Sequence, residues 1–235
     1  MNHFLPFSRR GGLVALIFSL IILASLPGCA SLSRPDPDRR YYLLQVQRPE
    51  PALKRPAEAP ILAVRSFRVA PAYDSRGIVT IRSDGLVQRD FYERFFLPPG
   101  ELLAGQFRNW LDQTGVFSLV TDLGGLAEPD LILEGYVLEL HQDLRDGRRE
   151  AVLALQILLL RPNSFGAMEV VVQRDYRQEL ALSDASISSL VAGWNLALEM
   201  ILTDVETALQ SASFPESVSH PVSQPEPGRL QDSDQ

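Results

Sequence analysis

A single cysteine, Cys29, among 235 residues removes whole classes of chemistry. No disulfide can close within the chain, and cysteine-ligated zinc, iron–sulfur clusters and CxxC redox couples need more thiols than are present. Histidine is nearly as scarce, with His3, His141 and His220 the full set. Basic residues number 22 against 29 acidic ones, and the resulting formal charge of −7 argues against a nucleic-acid partner, whose backbone asks for clustered positive charge. No GxSxG, HExxH, Walker or GxGxxG spacing occurs. Long apolar runs are also missing, with one exception. Residues 13–26 (LVALIFSLIILASL) form a run of 14 broken only by Ser19 and Ser25. That is short of the ~20 residues a membrane-spanning helix needs, but it suits the apolar region of an export signal.

Arg9 and Arg10 supply the basic region that such a signal carries ahead of its apolar run. The run ends in Leu26-Pro27-Gly28-Cys29, followed by Ala30, and this tetrapeptide resembles the bacterial lipobox. The chemistry explains the residue types. A thiolate is nucleophilic enough to take a diacylglyceryl group, and a small residue before it lets a peptidase reach the bond between Gly28 and Cys29. The expectation is therefore a lipoprotein signal peptide over 1–28 and an acylated Cys29 at the mature N-terminus. Losing Arg9 and Arg10 leaves a formal charge of −9. Each buried methylene of an acyl chain contributes ~0.8 kcal/mol, so two or three chains anchor a protein without any spanning helix. In Gram-negative sorting an Asp after the cysteine favours retention in the inner membrane, and Ala30 lacks that signal. The expected location is the periplasmic face of the outer membrane.

Prolines mark the joints. Ten of the 17 fall in residues 34–60 and 214–235. Residues 29–40 read as a polar tether, 41–212 as one domain interrupted by a Pro-rich extended connection over 48–60, and 213–235 as a disordered tail. Within the domain, strands are predicted over 41–46, from Leu62 to Val69, over 78–82 and 86–89 with an Asp84-Gly85 turn between, over 116–121, 131–142, 151–160 and 170–180. Arg145-Asp146-Gly147-Arg148 is a hairpin signal. In the last strand, Gln173, Asp175, Arg177 and Glu179 give one face to water. Two helices complete the pattern. The first follows Pro98-Pro99, has Leu103, Phe107, Trp110 and Leu111 on one face, and stops near Gly115. The second runs from Ile187 to Leu209, with Leu190, Trp194, Leu198, Ile201, Leu202 and Val205 as its stripe and Asn195, Glu199, Thr203, Glu206 and Gln210 opposite. The fold class is α+β: one domain, a mainly antiparallel sheet, both amphipathic helices on one face.

Candidates for chemistry are few. His141 sits at the end of a long strand beside Glu139 and Asp143, and is either a base or metal ligand or a partly exposed residue next to a hairpin. Arg145, Arg148 and Arg149 either decorate a solvated turn or meet an anionic partner. The segment 91–97 (FYERFFL) holds four aromatics in six residues. Either they cover the base of the first helix as core, or some remain exposed as a binding surface, with Tyr92, Phe95 and Phe96 the candidate contacts. Neither a catalytic constellation nor a cofactor or metal site is expected.

Taken in order, these features resemble the ABC-type transport auxiliary lipoproteins, including the paraquat-inducible protein C-like subunits. The resemblance rests on the lipobox at Cys29, the Tyr-Tyr-Leu strand at 41–43, the run Val-Ala-Pro-Ala-Tyr-Asp-Ser-Arg-Gly-Ile-Val at 69–79, the aromatic–acidic stretch 91–97 before Pro98, and the helix, two long strands and C-terminal helix that follow. Where many relatives carry Trp before the proline, this chain has Phe95-Phe96-Leu97. The resemblance implies a noncatalytic periplasmic subunit that works with an ATPase, a permease and a substrate-binding protein of the mammalian-cell-entry (MCE) type in moving lipids between membranes, with self-association as a further expectation. Two other classes stay open: a scaffold for envelope assembly without a transporter, and a periplasmic hydrolase.

Overall fold

The computed structural model describes residues 38–125, 127–163 and 166–212. The expected signal segment, the expected cleavage site between Gly28 and Cys29 and the expected C-terminal tail lie outside the described residues. The chain divides after Asp38, and the folded unit that follows begins at Arg39. Its backbone is a three-stranded meander: β7 (Leu131–Leu144), β8 (Glu150–Pro162) and β9 (Met168–Ala181), all antiparallel. The Asp-Gly signal makes the first corner. Asp146 and Gly147 adopt φ of 53° and 77°, a left-handed conformation that glycine takes freely and aspartate tolerates.

The second edge of β7 is shared end to end by three short strands, each parallel to it. β2 (Ile61–Val64) pairs at its start, β3 (Arg68–Val69) in its middle and β4 (Gly77–Arg82) at its end. The sheet then forks. β6 (Leu119–Asp122) lies parallel to β2, while β5 (Val87–Phe95) returns antiparallel to β4 and carries β1 (Arg40–Tyr42) on its outer side. The longest ladders are antiparallel and the short ones mostly parallel, so the sheet is mixed.

The strand expected from Leu62 to Val69 is broken into β2 and β3, and Phe67 is the cause. Its backbone leaves the ladder so that the ring can enter the core, 4.9 Å from the Phe107 ring. The ring lies on the bare Cα of Gly135, where any Cβ would come within 2.3 Å of it.

Both helices pack on one face. α1 (Pro99–Leu111) buries Leu103, Phe107, Trp110 and Leu111, and α2 (Ile187–Ser211) buries Leu190, Trp194, Leu198, Ile201, Leu202 and Val205 in the same core. Ser186 caps α2 by accepting from the Ser189 N–H at 3.1 Å. On the other face Ala63, Ile132 and Leu160, with Leu158 beside them, form a small satellite cluster.

Residues 43–55 behave differently from their sequence pattern. The strand expected over 41–46 ends at Tyr42, and the chain then crosses the helices as a strap. Side chains of the helices take over the ladder's role: Asn195 Oδ1 accepts from the Gln45 N–H and Gln106 Oε1 from the Val46 N–H, both at 3.0 Å. Arg48, in the stretch expected to be unpacked, is buried, and so is Glu206, expected on the solvent side of α2.

Candidate interaction surface at the N-terminal edge

The β4–β5 ladder runs regularly from the Asp84-Gly85 turn as far as Val79 and Arg89, and then slips. Between that pair and Gly77–Arg94, two steps along β4 face five along β5. The extra residues form a wide bulge. Asp90 holds it closed, its Oδ1 accepting from the backbone N–H of Tyr92 at 2.7 Å and of Glu93 at 2.9 Å. Gly77 makes room, because a Cβ there would lie 2.5 Å from the Asp90 carbonyl oxygen. The bulge pushes Phe91 and Tyr92 outward, their rings edge-on at 5.2 Å.

Beyond the bulge the alternation resumes. Glu93 and Phe95 turn inward, and Phe95 meets Trp194 at 5.4 Å between ring centroids. Phe96 turns outward and is 55% exposed, as is Phe91. β1 then adds Tyr41, whose ring lies edge-on to Phe96 at 6.2 Å. Leu86, Val87 and Leu97 are exposed along the same strand and its ends.

The charges here are mostly positive, against the sign of the chain. Arg39 places its guanidinium 4.5 Å from the centre of the Phe91 ring, and Arg76 lies 5.4 Å from that of Tyr41 while donating to the Phe95 carbonyl at 3.0 Å. Arg89 donates to the Ala72 carbonyl at 3.0 Å. These three arginines rest on rings and carbonyls. Of the acids nearby, Asp90 is occupied by backbone N–H groups and Glu93 is buried against Arg40. The result is an exposed edge of aromatic rings and guanidinium groups, suited to binding by contact.

Of the expected contact residues, Tyr92 and Phe96 lie on this edge. Phe95 does not: at 2% exposure it belongs to the core, because strand alternation sets it opposite Phe96. Tyr41, Arg39 and Arg76 also belong to the surface. The signal for Tyr41 was the Tyr41-Tyr42 pair, of which a strand can bury only one. Nothing local marks the two arginines.

His141 is not the partly exposed residue that its position beside a hairpin suggested. It is 2% exposed, stacked on Tyr73 with ring centroids 5.6 Å apart, and neither ring nitrogen has a hydrogen-bond partner among the described residues. Burial pushes its pKa down; Glu139 and Asp143 oppose this, while Arg145 and Arg177 add to it. The Arg145 cluster is also accounted for in part. Asp143 takes Arg145 at 2.6 Å and Arg148 at 3.7 Å, and the Arg145 hydrogen bonds hold its carboxyl down to about 2.

Two open clefts of ≈ 630 and ≈ 610 Å³ adjoin at Ser66 and Glu101, the first including Arg68, Asp74 and Tyr136 and the second Arg65, Arg108 and Asp122. Neither gathers three potential metal-ligating side chains, nor does any other place among the described residues. No helix among the described residues is long and apolar enough to cross a membrane.

No protein-family model and no curated protein matches the chain. Among solved structures, the chain is similar to a Xanthomonas campestris protein of the family DUF330, 21% identical, with a TM-score of 0.60 over 73% of this chain and 95% of that one. An uncharacterized protein of known structure is 16% identical, with a TM-score of 0.57 over 73% of this chain and 99% of the other. At these identities the likeness is one of fold.

Proposed function

We propose that this protein is a lipid-anchored auxiliary subunit of an ABC/MCE-type transport system. It would be acylated at Cys29, held at the periplasmic face of the outer membrane, and active by docking to partner subunits. The observation that carries the reading is the convergence of two features at one end of the chain. A short apolar run stops at Leu26-Pro27-Gly28-Cys29, and the domain that begins a few residues later opens with an exposed aromatic–arginine edge. The order of motifs from Cys29 to the C-terminal helix supports the transport assignment, and the fold accommodates it.

The catalytic alternative has less behind it. Among the described residues neither ring nitrogen of His141 has a hydrogen-bond partner that could orient it as a base. An envelope scaffold without a transporter is separated by its company. Purified from native membranes under mild detergent, the protein should carry an MCE-type substrate-binding protein, with a permease and ATPase of the same system. Recovery with envelope assembly factors alone would overturn the transport reading. Intact mass of the same sample should fit residues 29–235 plus acyl chains; an unmodified chain retaining residues 1–28 would refute the anchor.

A further inference from the structure

We infer that the aromatic–arginine edge of β1 and β5 is a membrane seat: it lays the domain against an anionic phospholipid surface, so that the protein is held by its acyl chains and by a second, electrostatic and aromatic contact. The inference rests on the acylation of Cys29 proposed above and deepens it by naming what the exposed edge touches.

Position is the first argument. Only residues 30–38 separate Cys29 from Arg39, and however they are arranged, nine residues reach at most ~30 Å. The surface nearest the anchor along the chain is therefore β1 itself and the strand it pairs with. Tyr41 lies in β1, Arg39 immediately precedes it, and Phe91, Tyr92 and Phe96 belong to the β5 segment alongside.

Composition is the second. Aromatic side chains favour the headgroup layer, where a ring can be half in hydrocarbon. Arginine couples to lipid phosphate while its stem stays on apolar surface. Phe91 under Arg39 and Tyr41 under Arg76 present both groups as ready-made pairs. Charge is the third argument. In a chain of formal charge −7, Asp90 is held by backbone N–H groups and Glu93 by Arg40, so Arg39, Arg76 and Arg89 outnumber the exposed Asp38 on this edge, with N–H groups beyond their ring and carbonyl contacts to offer an anion. The acyl chains hold the protein to the bilayer, and a basic aromatic patch beside them adds an electrostatic contact that sets how the domain lies on it.

The only natural cysteine makes the test selective. Full-length protein carrying Phe91→Cys is purified from membranes, labelled with an environment-sensitive thiol fluorophore and reconstituted into vesicles of phosphatidylcholine with or without phosphatidylglycerol. Gln173→Cys, exposed on β9 and separated from β1 by four strands, is the control. If Cys29 is acylated, one label enters per chain; two labels would mean a free Cys29 and would sink the anchor reading separately.

A blue shift at position 91 on phosphatidylglycerol vesicles, absent at position 173 and fading with salt, is the expected result. Each of Arg39→Gln, Arg76→Gln and Arg89→Gln should lower the seated fraction's equilibrium constant about fivefold at low ionic strength. Melting temperatures accompany the variants, and Arg39→Gln, whose ring partner is already replaced in the Phe91→Cys chain, keeps the test open if Arg76→Gln unfolds. Equal emission at the two positions overturns the seat. So does a shift that ignores phosphatidylglycerol, one that appears only at high protein density on the vesicle, which would mean a second copy, or one that needs an added transport subunit.

Discussion

Arg48 and Glu206 are the residues whose chemistry departs furthest from their sequence setting. Glu206 accepts from Arg48 at 2.7 and 3.0 Å, from the Trp110 indole at 2.8 Å and from Gln210 at 3.1 Å. Burial alone would raise its pKa; hydrogen bonds from Arg48 and Trp110 outweigh that and lower it. Since removing one partner leaves a buried charge uncompensated, Glu206→Gln should destabilise the fold by about 3 kcal/mol in urea titration, with Arg48→Ala similar. Replacing both by well-packed apolar residues should cost less, which is the signature of a buried pair. Neighbouring aromatics make a sharper contrast. Phe95→Ala opens a hole against Trp194 and should lower stability by about 3–5 kcal/mol, whereas Phe96→Ala, on the surface, should change it by less than about 0.5 kcal/mol. Equal melting temperatures for the two variants would contradict the inward–outward assignment of this segment.

At the scale of elements, the bulge in β5 decides what the edge presents. A regular strand through 89–95 would alternate its side chains, and Phe91 and Tyr92 would face opposite sides of the sheet. The slip against β4, closed by Asp90 and permitted by Gly77, brings both outward. Gly77→Ala forces a methyl group against the Asp90 carbonyl, so it should lower the urea midpoint by the equivalent of about 1–3 kcal/mol. Amide exchange at Tyr92 and Glu93 should speed up by more than at the β7–β8 ladder. Loss confined to global stability, with the bulge amides unchanged relative to that ladder, would show that Gly77 serves packing elsewhere. The strap of residues 43–55 is the other element that local pattern misreads. It is held by Asn195, Gln106 and Glu206, residues that an amphipathic wheel assigns to solvent or to helix surface, because the wheel does not represent a third segment lying across both helices.

Across the whole molecule, three buried groups on β7 and α2 respond to acid in the same direction. Asp143, held at about 2 against an ordinary 3.8, contributes stability that is full above its unfolded pKa and is lost as pH falls through the folded value. Glu206, also lowered, follows the same sign. His141 is lowered from 6.5, so below that pH the unfolded chain takes up a proton that the folded one resists, and stability falls again. The domain should therefore weaken in stages on acidification, beginning just below neutrality, and His141→Phe, which keeps a ring on Tyr73, should remove the first stage while leaving the later one. A denaturation series across pH reads this directly, and an unchanged first stage would mean that His141 is not its source. The sequence by itself determined the meander of β7, β8 and β9 with its Asp-Gly corner, the two helices and their buried stripes, the α+β class, and the apolar run ending at Cys29. Each of these is written in side-chain periodicity or turn chemistry within a few residues, where sterics and burial act locally. Tertiary structure alone decided that three short strands share one edge of β7, that Phe67 breaks a strand to reach Gly135, that Arg48 finds Glu206 158 positions away, and that Phe95 is core while Phe91, Tyr92 and Phe96 form a surface. Those outcomes depend on which distant segments meet, and strand pairing, bulge register and ion-pair choice are settled by contacts that no local window contains.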